Sequence, residues 1–144
     1  MKLLEVSGLK VRFWTSDREV QAVKGLNFHL DAGEILGIVG ESGSGKSQSV
    51  LSILGLLADN GKASGSANFC GQNLLALSEA GLRKIRGKRI SMVFQDPMTS
   101  LNPAFTISNQ IGEAIMLHQN KTRAEAREHV IEMMELVTEE WVLP

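Results

Sequence analysis

Short apolar stretches separated by polar or glycine-containing turns run through the first part of the chain. Residues 3–6 and 9–13 are largely apolar on either side of a turn at Ser7-Gly8, and residues 21–30 alternate between apolar and polar. A period of two is typical of strands that bury one face. The pattern therefore predicts two short strands and a longer third strand, which together form an antiparallel N-terminal part.

Two nearly continuous apolar stretches, residues 34–40 and 89–95, have the length of a strand. Such stretches are typical of parallel strands that are buried on both faces of a sheet, and both are predicted as buried core strands. Between them, apolar residues recur on one face of a predicted helix from Lys46 to about residue 58. Residues 65–71, bounded by glycines, predict a further strand.

Helical periodicity dominates the last third of the chain. Residues 96–103 contain two prolines and are predicted as a loop. Apolar residues between positions 107 and 115 predict one helix, and an apolar stripe between positions 126 and 141 predicts a second. Thr122, three residues before Glu125, forms a capping box at the start of the second helix. The order of elements indicates an α/β core followed by a helical segment.

The composition is that of a globular domain. The chain has 144 residues, 15 of them basic and 16 acidic, with a formal net charge of -1. This balance argues against a dedicated nucleic-acid-binding protein, which usually has an excess of basic residues. The basic stretch at residues 83–89 is predicted as a solvated surface turn. Cys70 has no second cysteine to pair with and is predicted as a small strand residue.

No apolar stretch approaches the roughly 18 residues that a membrane-spanning helix requires. The N-terminal residues have no continuous apolar segment of the kind found in a secretory signal. The sequence therefore predicts a cytosolic protein.

The sequence GESGSGKS at residues 40–47 carries the clearest chemistry. Gly40, Gly45, Lys46 and Ser47 match every fixed position of the phosphate-binding pattern G-x-x-x-x-G-K-[ST], between a predicted strand and a predicted helix. Glycines let successive backbone N–H groups point at phosphate oxygens, and the helix N-terminus adds partial positive charge. Lys46 is predicted to reach the β- and γ-phosphates of a nucleotide, and the Ser47 hydroxyl to bind Mg²⁺. A flexible glycine-serine turn is the alternative.

This loop, together with VFQDPMTSLNP at residues 93–103, resembles the ATP-binding subunits of ABC transporters, and most of all those of the oligopeptide, dipeptide and nickel importers. The resemblance covers almost the whole chain. It implies an α/β fold, the P-loop NTPase core of the ABC ATPase type with an antiparallel N-terminal part. Residues 1 to about 95 would form this core, and residues 96 to 144 the Q-loop and the start of a helical subdomain. We expect a truncated, N-terminal portion of one nucleotide-binding domain.

The resemblance also implies roles for individual residues. Phe13, or its neighbour Trp14, would stack on adenine, and Gln95 would contact Mg²⁺ or the attacking water. Lys46 and Gln95 would then act in catalysis, and Ser47 and Gln95 would bind the metal. The residues around the phosphates of ATP and the metal would be Ser42, Gly43, Ser44, Gly45, Lys46, Ser47 and Gln48.

The implied function is that of an ATP-binding subunit that couples ATP binding and hydrolysis to import of peptides or related small solutes. The segment from Asp96 to His118 would meet transmembrane permease subunits. A second ATPase subunit would be a further partner, and a solute-binding protein an indirect one. Such a subunit is cytoplasmic and lies on the inner face of the cell membrane when it is assembled.

Three catalytic elements of this family are not found in the sequence. They are an apolar strand ending in Asp-Glu, a signature of the LSGGQ type and a switch histidine. We therefore expect this chain to hold ATP and Mg²⁺ without efficient hydrolysis of its own, because these groups position the water and stabilise charge. We also expect a marginal monomer that tends to associate.

Two other functions remain open from the sequence. A non-catalytic nucleotide-binding module that docks on membrane subunits would bind ATP without releasing phosphate. A small phosphotransferase would need an arginine-bearing lid, but Arg123 and Arg127 lie opposite the apolar stripe and are predicted to face solvent. ABC-type DNA-repair ATPases share the P-loop and Q-loop, but the near-neutral charge and QDPMTSLNP favour transport.

Overall fold

The computed structural model describes residues 2–96 and 100–139 of the chain. The chain divides into two compact units, of which the first ends at Arg86 and the second begins at Gly87. The functional division near residue 95 that the sequence suggests remains a prediction.

The first unit is built on an antiparallel sheet of four strands. They are β1 (Lys2–Trp14), β2 (Glu19–Asp31), β3 (Gly61–Phe69) and β4 (Gln72–Asn73), in the order β2-β1-β3-β4. The central strand β1 pairs with both β2 and β3 in antiparallel register. The predicted antiparallel N-terminal part is thus confirmed.

The strand β1 is continuous, although the sequence predicts a turn at Ser7-Gly8. Gly8 has a φ of 58°, and the pairing with β2 shifts register between Val6 and Leu9. The Gly8 N–H donates to the Asn27 side-chain oxygen at 2.7 Å. A bulge that is held by this contact therefore replaces the predicted turn, and the two short strands become one.

Two short helices complete the first unit. The helix α1 (Lys46–Ile53) contacts β1, β2 and β3, and α2 (Glu79–Arg83) follows a short 3-10 turn at Leu74–Ala76. The helix α1 is shorter than the predicted segment, since it ends at Ile53 and not near residue 58. The most deeply buried side chains of the core come from the sheet and the 3-10 turn, and they are Val6, Leu9, Val11, Ala67 and Leu74.

Neither apolar stretch that was predicted as a buried parallel strand forms a strand in the structure. Residues 34–40 lie in an irregular segment in which Ile35 is 97% and Val39 94% exposed. Residues 91–95 are also irregular, and Val93 is fully open to solvent. A strand of this kind requires hydrogen-bonded neighbours and covered faces, and the one sheet in the described part of the chain provides none for these segments.

Cys70 was predicted as a strand residue, and this is wrong. It follows the last residue of β3 in the turn to β4, where it is exposed and has a φ of 48°. The reversal from β3 to β4 requires a left-handed backbone at this position and at Gly71.

The second unit contains a pair of helices, α3 (Ile107–Gln119) and α4 (Arg123–Glu139). Buried contacts join them through Ile115, Ala126 and Val130, with Ile111 packed alongside. The predicted stripe of α4 is thus buried only in its first half: Met133, Met134 and Val137 are exposed, and Trp141 lies outside the described residues. Within residues 2–96 and 100–139, no helix is long and apolar enough to cross a membrane.

The capping box at the start of α4 forms as predicted. The Thr122 hydroxyl and N–H donate to the Glu125 carboxylate at 2.6 and 2.8 Å, and the Glu125 N–H points back at the hydroxyl. These hydrogen bonds, that of the hydroxyl above all, hold the pKa of Glu125 below its usual range. The carboxylate form therefore stabilises the first turn of α4.

Replacing Thr122 by alanine is expected to lower the thermal midpoint by a few degrees and to raise the pKa of Glu125 towards its ordinary value. Because folding lowers this pKa, the stabilisation is fully present above the pKa of the unfolded chain and is lost as the pH falls through the folded pKa. The difference in thermal midpoint between wild type and Thr122→Ala should therefore become smaller at acidic pH. Carboxyl NMR titration and thermal unfolding at several pH values measure both effects.

Thr106→Ala is the matched control for this test. Thr106 caps α3 by accepting from the Asn109 N–H, and the first turn of α3 contains no acidic residue. This variant should lose stability without changing the pKa of Glu125. An unchanged Glu125 pKa in Thr122→Ala would contradict the assigned cause.

Candidate functional site

The loop at residues 40–47 leads into α1, which begins at Lys46. Gly43 and Gly45 have φ values of 78° and 94°, so both lie in the left-handed region that glycine adopts without strain. Gly45 is the N-cap of α1 and has no side chain that accepts from the first turn. The first-turn N–H groups therefore face the loop without a side-chain cap, as in helix termini that bind anions.

The side chain of Lys46 folds back over its own loop. Its Nζ atom donates to the carbonyl oxygens of Gly40 at 2.6 Å and Glu41 at 2.7 Å, and lies 3.4 Å from the Ser44 hydroxyl. The Ser44 N–H also donates to the Glu41 carbonyl at 3.2 Å. These bonds curve the loop and hold the ammonium group beside the start of α1.

The loop approaches β2 too closely for a side chain at Gly45. A Cβ atom there would lie 2.5 Å from the Ala22 carbonyl oxygen and 3.2 Å from the Val23 Cγ2 atom. A Cβ atom on Gly40 would lie 2.7 Å from the Ser44 hydroxyl oxygen. The backbone of β2 therefore excludes a side chain at Gly45, whereas the Ser44 hydroxyl could rotate away from a Cβ atom on Gly40.

A cavity of about 250 Å³ opens between the loop and β2. The structure brings six of the predicted phosphate-site residues to it, together with Ala22, while Ser42 lies in the loop but does not line the cavity. The full lining is Ala22, Gly43, Ser44, Gly45, Lys46, Ser47 and Gln48. An ammonium group, hydroxyls and helix N–H groups form a donor set that suits phosphate oxygens, although the role of each residue remains a prediction.

A divalent metal has few side-chain ligands here. In the described ranges, residues 2–96 and 100–139, no three His, Cys, Asp or Glu side chains lie close enough to hold a metal together. The Ser47 hydroxyl at the cavity is a suitable oxygen ligand, and Mg²⁺ usually takes its other ligands from substrate phosphates and water. The residues present therefore fit a metal that arrives with a nucleotide.

The two aromatic candidates for adenine stacking lie at the end of β1. Phe13 is half-buried, and a Cβ atom on the neighbouring Gly61 would lie 2.6 Å from its ring, so this ring packs on β3. Trp14 is 46% exposed, and its backbone is held by two 2.9 Å hydrogen bonds with Asn60. The indole of Trp14 is therefore the more accessible ring, and the stacking role remains a prediction for either residue.

Gln95 belongs to the second unit and is exposed in an irregular segment. The phosphate-binding loop belongs to the first unit. The predicted joint binding of a metal by Ser47 and Gln95, and the catalytic role of Gln95, therefore remain predictions.

Arg86 is a residue whose importance the sequence analysis missed. The basic stretch at residues 83–89 was predicted as a solvated turn, but the Arg86 side chain is only 21% exposed. It donates to the carbonyl oxygens of Leu54 at 2.7 Å and Gly55 at 2.9 Å, just beyond α1. Ile85, the apolar residue of this basic stretch, could have indicated that the turn is not fully solvated, and it is buried in the structure.

Together, the antiparallel sheet, the glycine-rich loop and the helix that it opens define a P-loop NTPase fold. Residues 23–141 match the family described as ABC transporter. The chain therefore belongs to the ABC transporter family, and the assignment made from its loop motifs is confirmed.

Curated relatives point to one branch of this family. The chain is 54% identical over 135 residues to the oligopeptide transport ATP-binding protein OppD of Escherichia coli, covering 94% of this chain and 40% of that protein. It is 45% identical over 139 residues to OppD of Bacillus subtilis, covering 94% of this chain and 38% of that protein. The chain thus spans about 40% of the length of these relatives.

A solved structure with the same fold is the ATP-binding cassette MJ0796, described as dimeric, in a post-hydrolysis state and bound to ADP and Pi. The TM-score is 0.78 at 24% sequence identity, covering 92% of this chain and 56% of that one. This similarity confirms the predicted fold class.

Proposed function

We propose that this chain binds ATP with Mg²⁺ through the loop at residues 40–47, as the nucleotide-holding part of the ATP-binding subunit of an importer for peptides or related small solutes. One observation carries the proposal: Lys46 and the uncapped N-terminus of α1 converge on the same cavity. Both features favour an anionic ligand with several oxygen acceptors. A triphosphate chain has this chemistry.

Each residue of the phosphate-binding loop would have its own role in binding. The first-turn N–H groups and the Lys46 ammonium would hold phosphate oxygens, and the Ser47 hydroxyl would bind Mg²⁺. Bound ATP would supply the phosphoryl group whose transfer drives the family's machinery. The chain's own contribution is to hold the phosphate chain, since the loop is curved by the contacts of Lys46 with Gly40 and Glu41.

The proposed substrate class rests on the relatives, which are named oligopeptide transport ATP-binding proteins. Within such an importer, the segment from Asp96 to His118 would meet the permease subunits. In support, the Gln110 side chain holds the preceding loop by accepting from the Asn102 N–H and donating to the Asn102 and Phe105 carbonyls at 2.9 to 3.0 Å. Within residues 100–106, Leu101 and Phe105 are exposed.

The remaining partners follow from the same proposal. A second ATPase subunit would pair with this one, as the dimeric state of the cassette MJ0796 suggests. The subunit would be cytoplasmic and peripheral on the inner face of the membrane. A non-catalytic module that docks on membrane subunits is the second candidate, and it would bind ATP without releasing phosphate.

Calorimetric titration tests the binding part of the proposal. We expect the chain to bind ATP with Mg²⁺, to bind ATP more weakly when the metal is chelated, and to bind adenosine least. Phosphate release measured on the same sample should not exceed the buffer rate. Equal affinities for adenosine and ATP would contradict a phosphate-binding role of the loop. Phosphate release at an enzymatic rate would contradict the expected lack of turnover.

A chimera tests the transport part. The segment of E. coli OppD that matches this chain would be replaced by the chain's own residues, and oligopeptide uptake would be measured in cells that lack OppD. Uptake should be restored, and the same chimera with Lys46→Ala should be inactive. A chimera that accumulates normally and binds ATP but supports no uptake would argue against the proposed importer class.

A further inference from the structure

The C-terminal end of α1 is held by a single arginine. Arg86 donates from Nε to the Leu54 carbonyl and from Nη2 to the Gly55 carbonyl, at 2.7 and 2.9 Å. Leu54 is the C-cap of α1, and the carbonyl group of a C-cap residue has no partner within its own helix. The guanidinium therefore satisfies acceptors at the end of the same helix that begins at the phosphate loop.

The short helix α1 depends on contacts with the rest of the first unit to stay formed. It has eight residues, and isolated helices of this length are unstable in water. Its last turn contains no basic residue of its own. A cation near the C-terminus interacts favourably with the partial negative charge there, so Arg86 supplies from outside the helix what α1 lacks.

Two neighbours hold the guanidinium in this position. The Glu79 carboxylate accepts from Nη1 at 2.8 Å, and this hydrogen bond holds the pKa of Glu79 below its usual range. Gly55 permits the close approach, because a Cβ atom there would lie 2.9 Å from Arg86 Nη2 and 2.6 Å from Leu82 Cδ1. Arg86 is thus packed between the end of α1 and α2.

We propose that Arg86 is a positioning residue for the nucleotide site: it fixes α1 at its C-terminal end, so that the N–H groups at the other end stay directed at the loop. The inference rests on the proposed binding of ATP by this loop. Arg86 touches neither the loop nor the cavity, and it would act through the helix alone.

The test is Arg86→Met, which keeps much of the side-chain volume and removes the charge and the donors. We expect the affinity for ATP with Mg²⁺ to fall about tenfold, as for the loss of one charge-assisted hydrogen bond. The amide NMR resonances of Gly45 and Ser47 should shift in the same variant. Arg86→Lys keeps the charge but not the planar guanidinium group, and its affinity for ATP with Mg²⁺ should fall only about threefold.

Arg83→Met is the matched control. Arg83→Met makes the same change of charge three positions away, but among the described residues the 77% exposed Arg83 side chain bonds only Glu79, at 3.3 Å. The Arg83→Met variant should have the affinity for ATP and the Gly45 and Ser47 amide resonances of the wild type. All titrations are made at a temperature at which thermal unfolding shows every variant to be folded.

The outcomes separate this inference from the proposed function. Failure of the wild type to bind ATP overturns the proposed function, whatever the variants do. Binding by the wild type with equal affinity in Arg86→Met, and unmoved loop resonances, overturns the positioning role even if the thermal midpoint falls. If Arg86→Met does not fold, the same comparison is made with Arg86→Lys, and wild-type affinity in that variant overturns the inference.

Discussion

Replacing Lys46 by alanine is expected to lower the affinity for ATP with Mg²⁺ at least about a hundredfold, or roughly 2.7 kcal/mol. Among the described residues that line the cavity, Lys46 is the only one with a charge. A charge-assisted hydrogen bond contributes about 1.5–3 kcal/mol, and the ammonium group is placed to form more than one with a phosphate chain. The variant also loses the bonds to Gly40 and Glu41 that curve the loop.

Calorimetric titration of wild type and variant measures this loss. Lys62→Ala is the control, because Lys62 is an exposed lysine on β3 of the same unit and does not line the cavity. It should bind ATP as the wild type does. If Lys46→Ala and Lys62→Ala bound ATP equally well, the nucleotide would have to bind elsewhere on the chain.

Replacing Gly45 by alanine is expected to abolish measurable ATP binding and to destabilise the first unit by on the order of 2–4 kcal/mol. The new Cβ atom would lie 2.5 Å from the Ala22 carbonyl oxygen, which belongs to the backbone of β2. A backbone atom in a paired strand cannot rotate away as a side chain does. The N-cap of α1 must therefore move, and the N–H groups that follow it move too.

Gly43→Ala isolates the effect of this clash. Gly43 also has a positive φ, of 78°, but no atom lies within 4 Å of the Cβ position. Gly43→Ala should lower the free energy of unfolding only through backbone strain, by about 1–2 kcal/mol, and should weaken ATP binding without abolishing it. Thermal unfolding and ATP titration of both variants measure the two effects. Equal losses in Gly43→Ala and Gly45→Ala would show that backbone strain alone, and not contact with β2, excludes a side chain at position 45.

The parts of the fold that the sequence predicted correctly are those determined by nearby residues. The strand at residues 21–30, the capping box at Thr122 and the start of α1 at Lys46 each depend on a few neighbours in the chain. The strands predicted at residues 34–40 and 89–95 depend instead on partners that would cover both faces. An apolar stretch carries no information on whether those partners are present, so its burial could not be predicted from pattern alone.

The candidate site, too, could be predicted where it depends on nearby residues and not where it depends on distant ones. Residues 43–48 are contiguous, so a motif is sufficient to place them at one cavity. Arg86 reaches carbonyl groups more than thirty positions earlier in the chain, and no periodicity links it to them. Position alone likewise could not distinguish Phe13, whose ring packs on Gly61, from the exposed Trp14.

The strand order has a consequence for how the first unit folds. The strands β1 and β2 are joined by residues 15–18 alone, whereas β3 reaches β1 only after residues 32–60 have been closed into a loop. Closing a longer loop loses more chain entropy, and pairings that are distant in sequence generally form later. The phosphate loop and α1 lie within that late-closing segment. The hairpin should therefore assemble first, and a refolding chain should become able to hold a nucleotide only when β3 joins the sheet.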